Sequence, residues 1–252
     1  HPGSSRNLVV MHLNSAPSVR DYPRPGTLAA ATELLAQGGW RVLAGGTDLY
    51  PGAGPGLPGR VLDLTGLPEL SGIMEGRGLR IGAATTWAAI AGTKLPPAAR
   101  ALQQAARQVG GQQVQNAGTI GGNLCNASPA ADGVPPLLAL EAEVELVSAA
   151  GVRRLLLAEF LLGPRRTALR PGEILAAVLI PEAALCGGSA FVKLGARSHL
   201  VISIAMVAAR VVLEGGRVTG AAIAVGSCSP VAVRLPTVEA ALVGASVAGA
   251  EG

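Results

Sequence analysis

The stretch NAGTIGGNLCNASPAAD, residues 116–132, is the feature that most restricts what this chain can fold into. It combines an adjacent glycine pair with three asparagines, a threonine, a serine and an aspartate in seventeen residues. Large apolar side chains are scarce in it, so it cannot bury a face of its own and must be held by its neighbours. Two uses fit that description: a polar surface turn, or a backbone surface that a charged ligand can approach closely. A second stretch, WRVLAGGTD, has the same kit, with Gly45 and Gly46 ending a hydrophobic run and Thr47 and Asp48 following.

Glycine pairs alone are uninformative, because 35 glycines predict roughly five adjacent pairs by composition and six occur. The context carries the information. Without a Cβ, successive glycines reach positive φ and can turn their N–H groups toward one anion, and neighbouring Thr and Asn side chains supply further donors. Such a site needs few Lys or Arg, since preorganised donors compensate the charge. The plain alternative is two glycine turns, each capped by a polar side chain, and the residues by themselves leave both open.

At 252 residues and 49% hydrophobic composition the chain can bury a substantial core as one large or two small domains. Aromatics are only 2%, so that core is built from Ala, Leu, Val and Ile, and little is left for the stacking platform that single-stranded nucleic acid needs. The net charge of +4 comes from scattered arginines, with Arg153, Arg154, Arg165, Arg166 and Arg170 the one local enrichment, which is no polyanion track. An anionic small ligand or an acidic partner remains compatible with it. Cys125, Cys186 and Cys228 lie far apart with no CxxC pair, so no metal or cluster site is expected. The odd cysteine count, the absence of a long uncharged apolar run and the lack of a signal-peptide layout before Met11 lead to the expectation of a cytoplasmic protein whose fold begins at Met11.

Periodicity predicts a helix from Thr27, as N-cap, to Gln37, stopped by Gly38 and Gly39, and then a buried strand from Trp40 to Ala44. PGAGPGLPGR reads as an irregular loop. Strands follow at 61–64 and 79–83, then a short helix capped by Thr85 through Ile90, and a longer helix that has Pro97 in its first turn and ends at Gly110 and Gly111. Residues 143–147 and 152–156 alternate as paired strands, and LLGPRRTALRPGE is a crossing at which a domain boundary is placed. Beyond it come strands at 174–180 and near Phe191, a hairpin of 203–213 and 218–225 turning at Gly215 and Gly216, and a helix at 238–243.

Familiar catalytic and nucleotide motifs are missing. There is no G-x-x-x-x-G-K-[ST], and GAGPGLPG is a poor G-x-G-x-x-G because its prolines forbid the helix that must follow. His199 is the sole histidine away from the N-terminus and no G-x-S-x-G accompanies it, so it reads as structural.

RVLAGGTDL followed about seventy residues later by QVQNAGTIGGNLCNASPAADGVPPLLAL resembles the FAD-binding (medium) subunit of molybdenum hydroxylases, the group that includes carbon monoxide dehydrogenase, xanthine dehydrogenase and nicotinate-type dehydrogenases. The likeness extends through YPRPGTLAAATELLA, VLDLTGLPEL, LRIGAATTW, EFLLGPRRTALRPGEIL, FVKLGARSHLVISIAMVA and SPVAVRLPTVEAAL. The resemblance implies an α+β architecture: a vanillyl-alcohol-oxidase-type FAD-binding domain of two α+β subdomains (residues 11–165), followed by a smaller α/β C-terminal domain (166–252) that is truncated relative to the family. It further implies that Ala44, Gly45, Gly46, Thr47 and Asp48 form one FAD loop and Thr119, Ile120, Gly121, Gly122 and Asn123 a second, both holding the pyrophosphate through backbone N–H groups. By the same likeness Ser128 and Asp132 lead to the ribityl and adenosine side, and Lys193 is a basic residue near the flavin ring.

The implied function is electron transfer: an FAD-binding subunit takes electrons from an iron–sulfur small subunit, fed by a molybdopterin large subunit, and passes them to an external acceptor such as NAD, quinone or oxygen. No catalytic side chain is expected, because the cofactor carries the chemistry. Two positions depart from the family pattern. Val201 stands where an Asp is usual, and Arg165 and Arg166 replace an aromatic near the flavin. The competing readings are a stand-alone FAD oxidase of the same fold and a scaffold that has lost FAD.

Overall fold

Three sheets, bridged by short helices, account for most of the chain in this computed structural model, which describes residues 19–52, 59–195 and 202–246. The first sheet is parallel and small, with Gly59–Asp63 between Val19–Asp21 and Trp40–Leu43. Helix Leu28–Ala36 crosses between its strands. Thr27 caps this helix by accepting from the Ala30 N–H at 3.2 Å, and Gly38 and Gly39, both at φ +76°, end it. Its Ala31 packs on Leu62, Leu64, Leu67 and Leu70.

Trp40–Leu43 is not the buried strand its apolar sequence suggests. It lies at a sheet edge with Arg41 and Val42 exposed, and only Leu43 fully inside. Trp40 instead stacks under Arg60, whose guanidinium carbon lies 3.8 Å from the ring centroid. The glycine and proline run is partly structured as well: a short helix occupies Leu49–Gly52 and Gly59 already begins the next strand, while residues 53–58 lie outside the described segments.

The central sheet is antiparallel, in the order Ile73–Gly76, Gly78–Gly82, Ile174–Ile180, Glu143–Ser148, Gly151–Leu156. Ile174–Ile180, which the sequence places in the C-terminal part, is therefore its middle strand, and six of its seven residues are buried. Against this sheet pack Trp87, Ile90, Leu102, Ile120, Leu124, Leu137 and Phe160, the main core. The expected Thr85 cap shifts by one residue: Thr86 accepts from the Ala89 N–H at 3.2 Å, while the buried Thr85 donates to the Gly72 carbonyl at 3.1 Å.

The following helix is shorter than its composition suggests. A single 3-10 turn at Pro97–Ala99 leads into Arg100–Ala106, and the last turn tightens, with Gln108 N–H donating to Ala105, well before Gly110. The polar stretch beyond it is not a loop throughout. It carries helix Ile120–Asn126, whose N-cap Thr119 accepts from the Gly122 N–H at 3.0 Å and whose end is the left-handed Ala127 at φ 46°.

The C-terminal sheet orders Gly188–Gly195, Ser203–Glu214, Arg217–Gly226 and Val233–Arg234 antiparallel, with the long hairpin in the expected register. Helix Pro236–Leu242 follows, fixed by the Arg234–Glu239 pair and by Glu239 accepting from the Ile223 N–H at 2.8 Å. The inner face rests on helices Arg100–Ala106 and Val134–Ala139 through Ala101, Ala105, Ala139, Ala208 and Ala222, with Phe191 and Met206 as the large fillers. Alanine on both sides permits a close approach that a larger residue would break. Ala222→Leu is expected to lower stability by about 1–3 kcal/mol through overpacking, measured as a shift in urea midpoint at unchanged slope.

Candidate functional site

The two glycine bends meet backbone to backbone. A Cβ placed on Gly45 would overlap the carbonyl of Ala117 and stand 2.9 Å from the Gly118 Cα. At Gly118 an added Cβ would lie 3.6 Å from Thr47 Oγ1 and 3.4 Å from the Trp87 ring, and one on Gly122 would come to 4.0 Å from the Ala44 Cβ. Glycine at 45 is therefore demanded by proximity to a segment more than seventy residues away in sequence, whereas at 118 the tight contact, 2.8 Å, is with the Val114 carbonyl of the preceding helix.

The bends differ in what their amides do. Ile120 N–H donates to Thr85 at 3.0 Å, Gly121 N–H to Ala83 at 2.8 Å, and Asn123 N–H to Thr119 at 3.0 Å, while Gly122 N–H goes to Thr119 Oγ1. The resemblance implies that both bends hold the pyrophosphate through backbone N–H groups, yet from Ile120 to Asn123 these are already engaged within the protein. Among the described residues, the N–H groups of Gly45, Gly46, Thr47 and Asp48 find no acceptor. The second bend contributes closeness and side chains, including Asn123, whose buried Oδ1 has no partner. A buried carbonyl oxygen left unpaired costs about 1–3 kcal/mol unless a donor reaches it.

Both bends line one cleft of about 500 Å³, in the range of small-molecule sites. Ala44, Gly45, Gly46, Thr47, Asp48, Thr119, Gly121, Gly122, Asn123 and Ser128 all border it. Among the described residues no Lys, Arg or His does. Its two carboxylates are the exposed Asp48 and the buried Glu173. Glu173 accepts from Arg153 Nε at 2.6 Å and Nη2 at 2.8 Å and from the Arg170 N–H at 2.7 Å. These bonds, Arg153 first, outweigh burial and hold its carboxyl below the usual range. Cys125 also borders the cleft, and the protein packed around it pushes its thiol upward, so it stays protonated at neutral pH. Among the described residues no three His, Cys, Asp or Glu side chains cluster to hold a metal.

Three expected site residues lie elsewhere. Ile120 is fully buried in the main core. Asp132 and Lys193 are bonded to each other, Nζ to Oδ2 at 2.6 Å with both side chains 8% exposed, and Ser203 Oγ donates to the other carboxylate oxygen at 2.7 Å. Neither borders the cleft. The pair ties the C-terminal sheet to the segment that carries Ser128, Ala130 and Ala131 along the cleft wall. His199 and Val201 lie outside the described residues. Arg165, at φ 58°, donates to the carbonyl and side-chain oxygens of the cleft residue Asn126.

The site also includes residues that sequence reasoning passed over. Gly118 is the contact point for Thr47, but only paired glycines drew notice. Trp87 is 1% exposed, borders the cleft, and leaves no room for a Cβ on Gly133. Its rarity, as one of two tryptophans, was the available signal. No local signal marked Glu173.

Two family models match the chain: the FAD binding domain in molybdopterin dehydrogenase over residues 17–183, and the CO dehydrogenase flavoprotein C-terminal domain over 190–251. The nicotinate dehydrogenase FAD-subunit of Eubacterium barkeri is 38% identical over 196 residues, 73% of this chain and 66% of that subunit. The carbon monoxide dehydrogenase medium chain of Afipia carboxidovorans is 35% identical over 219 residues, covering 82% and 74%. Among solved structures, the cyanide-inactivated form of Cu,Mo-CO dehydrogenase superposes with a TM-score of 0.83 at 31% identity, over 91% of this chain and 82% of that one. Quinoline 2-oxidoreductase from Pseudomonas putida 86 gives 0.80 at 29%, over 90% and 80%.

Two outcomes follow from the charges around the cleft. Because the folded Glu173 carboxyl titrates below its ordinary value of 4.5, its contribution is present above that pH and is lost as pH falls through the depressed value. Glu173→Gln should cost about 2–3 kcal/mol at pH 7 and flatten the loss of stability on acidification, read from urea unfolding at pH 7 and pH 4. Lys193→Met, which strands a buried carboxylate, should cost about 3–5 kcal/mol, and adding Asp132→Asn should recover part of it.

Proposed function

The chain belongs to the family of FAD-binding domains of molybdopterin dehydrogenases, and we propose that it is the FAD-binding electron-transfer subunit of a multi-subunit molybdenum hydroxylase. It is a flavoprotein subunit of an oxidoreductase, with FAD as cofactor. Its partners in this proposal are an iron–sulfur small subunit and a molybdopterin large subunit, and its compartment is the cytoplasm. No described helix is long and apolar enough to cross a membrane. We infer that the two domains divide in the segment between Ile180 and Gly188, since the strand before it completes the central sheet.

The observation that carries this proposal is the joining of the two bends in one cleft, with four successive amides free on one side and an unpaired buried oxygen on the other. A diphosphate is a dense anion, and among the described residues no lysine or arginine borders the cleft to meet it, so the N–H groups of Gly45, Gly46, Thr47 and Asp48 are the donors at hand. Asn123 Oδ1 needs a donor, and the hydroxyls of a ribityl chain or a ribose are donors. Ala44, Gly121 and Gly122 bring the chain close where a side chain would obstruct, and Thr119 and Ser128 add hydroxyls. Ile120 secures the second bend from behind, while Asp132 and Lys193 secure the wall to the C-terminal sheet. FAD, when bound, supplies electron transfer between the partner's clusters and an external acceptor; the residues around it bind and exclude water. Among the described residues no histidine or lysine borders the cleft and Glu173 is tied to Arg153, which favours this over a stand-alone oxidase.

Isothermal titration of the chain with FAD should show one site, and absence of heat would overturn the proposal. Gly45→Ala, which drives a methyl group into the Ala117 carbonyl and parts the bends, should weaken FAD about a hundredfold. Purification from the native host should bring down chains carrying iron–sulfur and molybdenum; isolation of the chain alone with oxidase activity would favour the rival.

A further inference from the structure

The first bend has a problem that its own residues do not solve. Four successive N–H dipoles without acceptors among the described residues disfavour one another, so the bend keeps its shape only if something outside holds it. Gly46, at φ +72°, is the point of least resistance. Tyr50 covers it: a Cβ on Gly46 would fall within the Tyr50 ring, and the Tyr50 N–H donates to the Gly46 carbonyl at 2.9 Å.

Tyr50 is itself anchored. Its phenol adjoins that of Tyr22, which donates to Asp63 Oδ2 at 3.0 Å. Asp63 is 5% exposed and accepts also from the Thr65 N–H at 2.9 Å, the Thr65 hydroxyl at 2.6 Å and Arg24 Nε at 3.1 Å. These bonds make it a fixed carboxylate despite its burial. It pairs across the sheet with Leu43, the last strand residue before the bend. The chain has only two tyrosines, and both stand in this relay. Neither fills the core, since Tyr50 is 52% and Tyr22 42% exposed. None of the three residues borders the cleft.

We propose that Tyr50, anchored through Tyr22 to Asp63, is a positioning residue that holds the Gly45–Asp48 amides in the arrangement that receives the diphosphate. This rests on the FAD reading above. A bend held in its receptive shape binds without first having to order, and if removing the ring lowers the receptive fraction to about a tenth, apparent affinity falls about tenfold.

The test compares FAD with riboflavin, which has the same ring and ribityl chain but no diphosphate, by flavin fluorescence titration of the full chain. Tyr50→Ala should raise the FAD Kd about tenfold while the riboflavin Kd stays within about twofold, and Tyr50→Phe, which keeps the ring over Gly46 but loses the hydroxyl that meets Tyr22, should weaken FAD about threefold and riboflavin not at all. Tyr22→Phe removes one oxygen at the surface and leaves packing intact, so it serves should Tyr50→Ala fail to fold; it should weaken FAD about threefold and riboflavin not at all. Equal FAD affinity in wild type and these variants, or parallel loss of both flavins, overturns the inference alone. A wild-type chain that binds neither flavin overturns the FAD reading and this inference with it.

Discussion

The carbonyl of Ala117 lies where a side chain on residue 45 would have to go, and much of the molecule is organised around that contact. It fuses the end of a small parallel sheet to the start of a helix that packs on the central sheet. Glycine is needed at 45 because the main chains touch, which is a stricter demand than a turn conformation. The contact also decides the chemistry. A cleft walled by backbone on two sides can receive an anion through N–H groups and needs no cationic side chain, and among the described residues none borders it.

The rest of the fold keeps that contact in place. The central sheet supplies Ala83, whose carbonyl takes the Gly121 N–H, and Thr85, whose carbonyl takes that of Ile120. The C-terminal sheet is held to the cleft wall by few but buried polar ties. Lys193 and Ser203 converge on Asp132, and Arg210 caps the end of helix Val134–Ala139 by donating to the Ala139 carbonyl at 2.9 Å while pairing with Glu141 at 3.0 Å. Between those ties the interface is alanine, which gives closeness without interlocking. Arrangements of this kind are specific because an unmatched partner would leave a charge buried.

Local pattern revealed much of this. The hairpin of Ser203–Glu214 and Arg217–Gly226 was legible because its apolar alternation and its Gly215–Gly216 turn are written in adjacent residues. The Thr27 cap and the Gly38–Gly39 stop were legible for the same reason. Partner choice was not. Ile174–Ile180 follows the Pro/Gly crossing in sequence yet lies between strands that precede it, and Trp40–Leu43 is apolar but has an exposed edge. Helix Ile120–Asn126, with two glycines in seven residues, has little propensity of its own and is stabilised by acceptors at Ala83 and Thr85 about thirty-five residues away. At the site, both bends could be read as backbone surfaces. Which amides remain free could not, because that depends on the same distant carbonyls. Asp132 and Lys193 were singled out by resemblance as residues at the ligand, whereas three-dimensional proximity makes them partners of each other.

The claim on which this depends is that the amides of the first bend take the negative charge. The direct measurement is the backbone amide proton and nitrogen shifts of an isotopically labelled chain as FAD is added. Gly45, Gly46, Thr47 and Asp48 should move furthest, their protons downfield as charge-assisted hydrogen bonds form, with Ile120 and Gly121 moving little because their N–H groups are already engaged. Bound FAD that leaves those four amides where they were would contradict it.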